Sequence, residues 1–276
     1  MRLFGKVAII GLGLIGGSLG LAIKKKRLAR LVVGVSRRRS TLAMAKRRGA
    51  VDIACSDLNT VKDADLIILA APVSSILKIA EAISAVVKPG AIVTDVGSTK
   101  KEIVSRLEKL FPGYVGAHPL AGSEKRGVLN ASAAIFEDSL CILTPVAATR
   151  SQPLAKIKKL WNMLGSRVVY LKPGAHDEIL AFVSHLPHLI AFSLVRAVPK
   201  KHLKFSASGF KDTTRIASSD AEVWRDIFLS NRKSILKAVK AFRRSLSMLE
   251  TGVRKKDTNG LEILLRKTKE IRDSLQ

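Results

Sequence analysis

The octapeptide GLGLIGGS at residues 11–18 constrains this chain more than any other stretch. It follows KVAII at residues 6–10, an apolar run of strand length, and opens a helical pattern over residues 14–23. Strand, GxGxxG turn and helix in direct succession make the phosphate-cradling corner of a dinucleotide fold. Gly11 permits the tight turn, Gly13 lets a pyrophosphate approach the backbone, and Gly16 lets the helix sit close to the strand. The first-turn amides of Leu14, Ile15 and Gly16 then face the anion, helped by the positive end of the helix dipole. The predicted fold class is α/β: a Rossmann-type, doubly wound parallel sheet.

The rest of the first half repeats the alternation of short buried strands and helices. Strands are predicted at residues 31–35, 65–71 and 91–96, with helices over 41–49, 75–87 and 100–110. Residues 139–144, a helix over 153–164 and a strand over 167–171 complete this domain. Past Pro173-Gly174 no strand-like run follows, and residues 177–198, 221–249 and 261–275 read as long helices. The boundary is placed so that residues 1–172 form the nucleotide domain and 173–276 an all-helical one.

Ligands of such sheets bind beyond the carboxyl ends of the strands. Ala71 and Pro72, which end the 65–71 strand, are therefore cofactor-lining candidates. At the end of the 31–35 strand an NAD site usually carries an acid for the ribose hydroxyl. Here Ser36, Arg37 and Arg38 stand instead, able to hydrogen-bond and neutralise a 2′-phosphate, so NADP is favoured over NAD. Residues 116–127, GAHPLAGSEKRG, read as a polar loop in which His118 is the residue titrating near neutrality and the natural proton acceptor. A capped turn with a surface histidine is the bland alternative.

Three features stand out in the second half. Ser184-His185-Leu186-Pro187-His188 could put two histidines on one helical face, but no third ligand has suitable spacing and Pro187 disturbs the helix. No metal is expected; packing or substrate contact is. Residues 209–216, GFKDTTRI, read as a polar loop whose Arg215 could pair with a carboxylate, either a ligand's or that of Asp212 or Asp220. Trp224 with Arg225 fits helix packing.

Composition bounds the remaining choices. The formal net charge is +26, and the first 51 residues hold no Asp or Glu. A nucleic-acid partner is disfavoured by 5% aromatic content, the absence of a recognisable motif and the spread of the basic residues along the chain. A field that attracts small anions is the preferred account. Cys55 and Cys141 show no disulfide or zinc spacing, which fits a reducing, cytoplasmic setting. No signal peptide and no run of ~18 apolar residues was found, so no membrane span is expected.

Taken together, GLGLIGGS, DVGSTK (95–100), GAHPLAGSEKRG (116–127), SHLPH (184–188), GFKDTTRI (209–216) and VWRDI (223–227) resemble, in order, the prephenate/arogenate dehydrogenase family of tyrosine biosynthesis. The resemblance implies an N-terminal Rossmann domain, a C-terminal helical dimerisation domain, a homodimer, and oxidative decarboxylation of a cyclohexadienol acid with hydride transfer to NAD(P). It implies that His118 accepts the ring hydroxyl proton and that Ser98 orients it. Arg215 would bind a substrate carboxylate, His185, His188 and Trp224 would line the pocket with Ser123, and Glu124 would gate the entrance. Between substrates the cues conflict: Glu124 and His188 resemble prephenate-using members, Ser36-Arg37 NADP-using arogenate members. The basic field favours prephenate, a dianion, with arogenate as the alternative. With no further domain in the sequence, any inhibition by tyrosine is expected to act at the active site. A β-hydroxyacid or imine reductase would also join these two domain types but leaves HPLAGSE and DTTR unexplained, and a catalytically silent nucleotide-binding protein is favoured only by the charge.

Overall fold

The computed structural model describes residues 2–122 and 125–275. The chain divides into two compact units, Met1–Asn231 and Arg232–Gln276. In the first, the elements alternate as β1 (Phe4–Ile10), α1 (Leu14–Lys25), β2 (Ala29–Val35), α2 (Arg39–Arg47), β3 (Ile53–Cys55) and β4 (Leu66–Leu69). There follow α3 (Val73–Ser84), β5 (Ile92–Asp95), α4 (Lys101–Leu110), β6 (Tyr114–Leu120), β7 (Leu140–Leu143), α5 (Ser151–Leu164) and β8 (Arg167–Tyr170). Helices α6 (Pro173–Leu180), α7 (Leu186–Ala197), α8 (Ser208–Thr214) and α9 (Ala221–Ser230) complete this unit.

Among the described residues the eight strands form one sheet in the order β3-β2-β1-β4-β5-β6-β7-β8. Successive side chains of a strand point to opposite faces. Accordingly Val7 and Ile9 of β1 join a core with Leu19, Ile23, Ile157 and Trp161, while Ala8 and Ile10 join another with Ile76, Ile83, Ile103 and Leu107. Burial on both faces explains why the strands read as unbroken apolar runs. The strand order reverses between β1 and β4, so the crevice at their carboxyl ends is the switch point of a doubly wound sheet.

The structure corrects the expected architecture in several places. The sheet is parallel from β3 to β6, but β6 pairs antiparallel with β7, Ala117 facing Leu143 and His118 facing Ile142. The stretch expected to be a polar loop from residue 116 is strand as far as Leu120, and it carries His118 inside the sheet. Gly116, His118 and Pro119 concealed this strand, because polar and ring-locked residues interrupt the apolar pattern. Residues 209–216, expected as a loop, lie in α8 and a short 3₁₀ turn, Arg215–Ser218. The helix expected over 221–249 ends at Ser230, and a new one starts at Arg232. Asn231 is buried at the break and spends its side chain on hydrogen bonds rather than helix surface.

The helical run Pro173–Ala197 is long and apolar enough to cross a membrane, where the sequence reading found no such run. His, Ser and charged residues interrupt it throughout, so no unbroken apolar run marks it, while its Leu, Ile, Phe, Val and Ala residues keep the mean hydropathy high. His176, Asp177 and His185 within it are buried in hydrogen bonds inside the first unit, which reads as a helix packed on protein. A π-helical turn, Ala181–His185, sits directly before Pro187, whose missing N–H cannot close a regular turn.

The second unit is a helical hairpin of α10 (Arg232–Lys255) and α11 (Thr258–Asp273). Asp257 caps α11 by accepting the Gly260 N–H at 2.9 Å. The hairpin leaves Leu246, Met248, Val253, Leu265 and Ile271 more than half exposed.

Candidate active site

The glycine corner separates structural from ligand-facing glycines. Gly11 has φ +99°, and a Cβ there would lie 2.4 Å from the Ala70 carbonyl oxygen. A Cβ on Gly16 would lie 1.9 Å from the Gly11 oxygen. These two are demanded by the packing of α1 on the ends of β1 and β4. Gly13 is different: its φ is an ordinary −77° and nothing lies within 4 Å of a Cβ. That open space is where a pyrophosphate would come against the backbone. No side chain caps α1 and no acid lies in its first turn, so the amides of Leu14, Ile15 and Gly16 suit an anion. The corner fits a dinucleotide.

Ser36, Arg37 and Arg38 follow β2 on the same edge of the sheet, with both arginines exposed and the Arg38 N–H donating to Ser36 Oγ at 3.3 Å. Ala71 and Pro72 follow β4, and Pro72 stands at the N-terminus of α3.

Past β5 lies a buried polar hub. Lys100 and Asp95, both fully buried, form an ion pair, and Lys100 Nζ also donates to the Ala117 carbonyl at 2.8 Å. Asp95 in turn accepts from the Tyr114 hydroxyl at 2.7 Å and the Gly97 N–H at 2.8 Å. Lys100 thus holds the backbone beside His118 in place.

His118 is only 9% exposed. Its Nδ1 lies 2.8 Å from His176 Nε2, and His176 Nδ1 lies 2.8 Å from Asp177 Oδ1. Burial pushes the His118 imidazole well below its usual pKa, and the positive fields of His176, Lys100 and His185 add to that. His176 is also lowered, by burial against the opposing Asp177 bond. Burial would raise Asp177, but hydrogen bonds from His176 and the Lys101 and Lys100 amides outweigh it and hold the carboxyl below the usual range. The directions of these shifts favour neutral imidazoles beside an ionised carboxylate.

The partner expected for His118 was Ser98; the structure sets His176 against His118 Nδ1, and Nε2 is the ring nitrogen that this contact leaves to another partner. Ser98 lies half-buried in the loop after β5. His176 and Asp177 were not singled out from the sequence, being 58 residues or more from His118. The one available signal was a His-Asp pair entering an apolar helix just after Pro173-Gly174, where a buried acid calls for partners.

His185 is buried and His188 half-buried. Trp224 stacks on His188 with ring centroids 3.5 Å apart and meets His185 edge-on at 6.0 Å. Asn231 Nδ2 donates to the Asp177 carbonyl at 2.6 Å and to His185 Nδ1 at 3.1 Å, which leaves His185 its proton on Nε2. His188 Nδ1 donates to the Ser184 carbonyl at 2.9 Å, which leaves its Nε2 an acceptor. Burial lowers His185 to about 4. Burial also lowers His188, and Arg215 is near enough for its charge to contribute. Asp220, one of the partners considered for Arg215, is engaged by Arg126 at 2.7 Å. Ser123 and Glu124 lie outside the described residues.

A dinucleotide corner and a buried imidazole chain on the carboxyl edge of one doubly wound sheet define a nicotinamide-dependent dehydrogenase. The comparisons narrow that class. The family model for the prephenate dehydrogenase nucleotide-binding domain matches residues 19–170, and that for the prephenate dehydrogenase dimerization domain matches residues 172–267. The chain is 35% identical over 280 residues to prephenate dehydrogenase of Bacillus subtilis, covering 98% of this chain and 76% of that one. Among solved structures it resembles prephenate dehydrogenase from A. aeolicus, described in complex with hydroxyphenyl propionate and NAD+. The TM-score is 0.94 at 33% identity, with 99% of this chain and 98% of that chain covered. Arogenate dehydrogenase of Synechocystis superposes with a TM-score of 0.84 at 32% identity, over 98% of this chain and 100% of that chain. The chain belongs to the prephenate dehydrogenase family and binds NAD(P).

Proposed function

We propose that this chain converts prephenate to 4-hydroxyphenylpyruvate, with loss of CO2 and hydride transfer to NADP, in tyrosine biosynthesis. The observation that carries this reading is the His118–His176–Asp177 chain on the cofactor edge, a buried neutral base with a defined proton-bearing nitrogen. His118 Nε2 accepts the proton of the ring hydroxyl as the carbon bearing it gives up hydride, and departure of CO2 leaves the ring aromatic. The bound dinucleotide supplies the hydride acceptor. Ser98, on the loop following β5, helps orient His118 toward the hydroxyl.

Arg215 pairs with a substrate carboxylate. His185 offers a donor and His188 an acceptor to the substrate's side chain, and Trp224 fixes the plane of His188. Ser123 and Glu124 belong to the same pocket. Ser36, Arg37 and Arg38 neutralise the 2′-phosphate, which favours NADP over NAD. Ala71 and Pro72 line the cofactor crevice.

Residues 1–172 form the nucleotide domain and residues 173–276 the substrate and dimerisation domain. The exposed leucine, methionine, valine and isoleucine side chains of α10 and α11 support a homodimer, and two free thiols support a cytoplasmic setting.

Arogenate is the second reading, favoured by Ser36-Arg37, which resemble the NADP-using arogenate members. The test is reduced-cofactor absorbance in four assays, prephenate or arogenate against NAD or NADP. Fastest turnover with prephenate and NADP is expected. Faster turnover of arogenate reverses the substrate assignment, a preference for NAD reverses the cofactor assignment, and silence in all four with cofactor bound overturns the proposed activity.

A further inference from the structure

Asp177 has two jobs at once. Its Oδ1 accepts the Lys100 N–H at 2.7 Å and its Oδ2 the Lys101 N–H at 2.9 Å, capping α4, which has no side-chain cap of its own. Oδ1 also meets His176 Nδ1 at 2.8 Å. Backbone amides can only donate. A carboxylate facing two of them is confined to the acceptor role, so the proton on the His176–Asp177 bond belongs to His176 Nδ1. A neutral His176 then has only a lone pair at Nε2, and the proton on the next bond belongs to His118 Nδ1.

The direction of the whole chain is therefore set by two main-chain N–H groups that cannot reverse. We infer that Asp177 is a positioning residue for the reaction: acting through His176, it fixes His118 as the Nδ1–H tautomer and so keeps the Nε2 lone pair for substrate. In the opposite tautomer His118 would aim its lone pair at His176 and present a proton to the hydroxyl it must deprotonate. Neither His176 nor Asp177 needs to touch substrate. The same carboxylate fixes the start of α4, where Lys100 leads to the carbonyl of Ala117, so tautomer and placement of the base share one anchor.

The kinetic arm of this inference rests on the proposed dehydrogenase reaction; the tautomer arm does not. The full chain, carrying 15N in its five histidines, is read by ring-nitrogen spectra, with His118 assigned by its loss in His118→Gln. Wild type is expected to show His118 protonated on Nδ1 and bare on Nε2. Asp177→Asn is expected to lower kcat by about 10²–10⁴-fold, the range for a misdirected general base. KM should stay within roughly threefold, as for an interaction made in the transition state, with dinucleotide affinity unchanged and the Nε2–H form of His118 appearing.

His176→Gln retains an amide oxygen for His118 Nδ1–H and leaves Asp177 on α4. It is expected to keep the His118 tautomer and more kcat than Asp177→Asn. An Nε2–H spectrum in wild type overturns the inference without any variant. So does an Asp177→Asn protein that melts lower but keeps its kcat and its His118 spectrum, which would make Asp177 a helix cap alone. If Asp177→Asn does not fold, the wild-type spectrum and His176→Gln decide. A wild type that turns over neither substrate overturns the proposed function, while the ring spectra still decide the tautomer.

Discussion

Asp226 Oδ2 accepts the backbone N–H of Ser74 at 3.4 Å and the Ser74 hydroxyl as well, tying α9 to the first turn of α3 across 152 residues of sequence. Helix α3 follows Ala71-Pro72 and has no side-chain cap of its own. Arg225 holds the other carboxylate oxygen through Nε at 3.0 Å and Nη2 at 2.7 Å. Together with Asp177 on α4, this means that the two helices following β4 and β5 are both capped by carboxylates from the helical segment. Asp226→Ala is expected to cost about 1–2 kcal/mol, the range for losing a helix cap. Denaturant melts of Asp226→Ala, Ser74→Ala and the double variant check it: a double variant no worse than Asp226→Ala assigns the loss to this pair.

The glycine corner predicts a separation of folding from binding. Gly16→Ala drives a methyl into the Gly11 carbonyl and is expected to unfold the chain or lower its melting temperature sharply. Gly13→Ala meets nothing and has φ −77°, so the fold should persist while dinucleotide affinity drops. Fluorescence titration beside a melting curve reads both. Gly13→Ala that binds cofactor normally would mean that the pyrophosphate does not approach that backbone.

Much of this was legible in the sequence because it is local. The GxGxxG corner, the apolar strands and the change to helices after Pro173 each lie within one stretch, and the structure places them there. His118 was legible as a residue but not as a strand position, since Gly116 and Pro119 break the alternation that marks strands. The His176–Asp177 partners and the Asp226–Ser74 cap were not legible at all. They join residues separated by 58 to 152 positions, and nothing in an isolated stretch fixes which distant helix a buried acid will meet. Asn231 ended a helix that periodicity alone would have continued.

Arg37 and Arg215 make opposite kinetic predictions. Arg37→Asp, on the exposed loop after β2, is expected to shift preference from NADP toward NAD with little effect on substrate KM. Arg215→Ala is expected to raise substrate KM about ten- to hundredfold, a charge-assisted bond being worth ~1.5–3 kcal/mol. Steady-state kinetics with each cofactor separates them. An unchanged KM in Arg215→Ala would make Arg215 structural.

The buried imidazoles should make the fold acid-sensitive. His118, His176 and His185 are nearly or fully buried, and burial lowers each below its ordinary value, His185 to about 4. Near pH 7 they are neutral in both states. As pH falls through the unfolded value of ~6.5 the unfolded chain takes up protons first, so stability is lost from there down to the folded values. Each histidine contributes a slope of up to about 1.4 kcal/mol per pH unit. Asp177 and Asp226, held low by their hydrogen bonds, add their loss only below the carboxylate range. Melts from pH 7 to 5 should fall steadily, and kcat/KM should hold until pH drops well below 6.5. Constant stability over that range would mean that these rings titrate alike in the folded and unfolded chain, and stability rising toward pH 5 would mean that they are protonated in the fold.

The Lys100–Asp95 pair tests whether the hub beside His118 is needed for stability or for geometry. Both side chains are fully buried, so removing one strands the other's charge. Lys100→Met is expected to cost about 3–5 kcal/mol and to release the Ala117 carbonyl, displacing His118 from its neighbour's anchor. Asp95→Leu added to Lys100→Met removes the stranded carboxylate, and stability should recover in part, because burying an ion pair gains little over apolar packing. Activity should not recover with it, since the Ala117 carbonyl still lacks its donor. Melting curves and kcat on the single and double variants check this. Activity that returns with stability would make Lys100 a charge partner alone, whereas stability without activity assigns it the placing of the strand that carries His118.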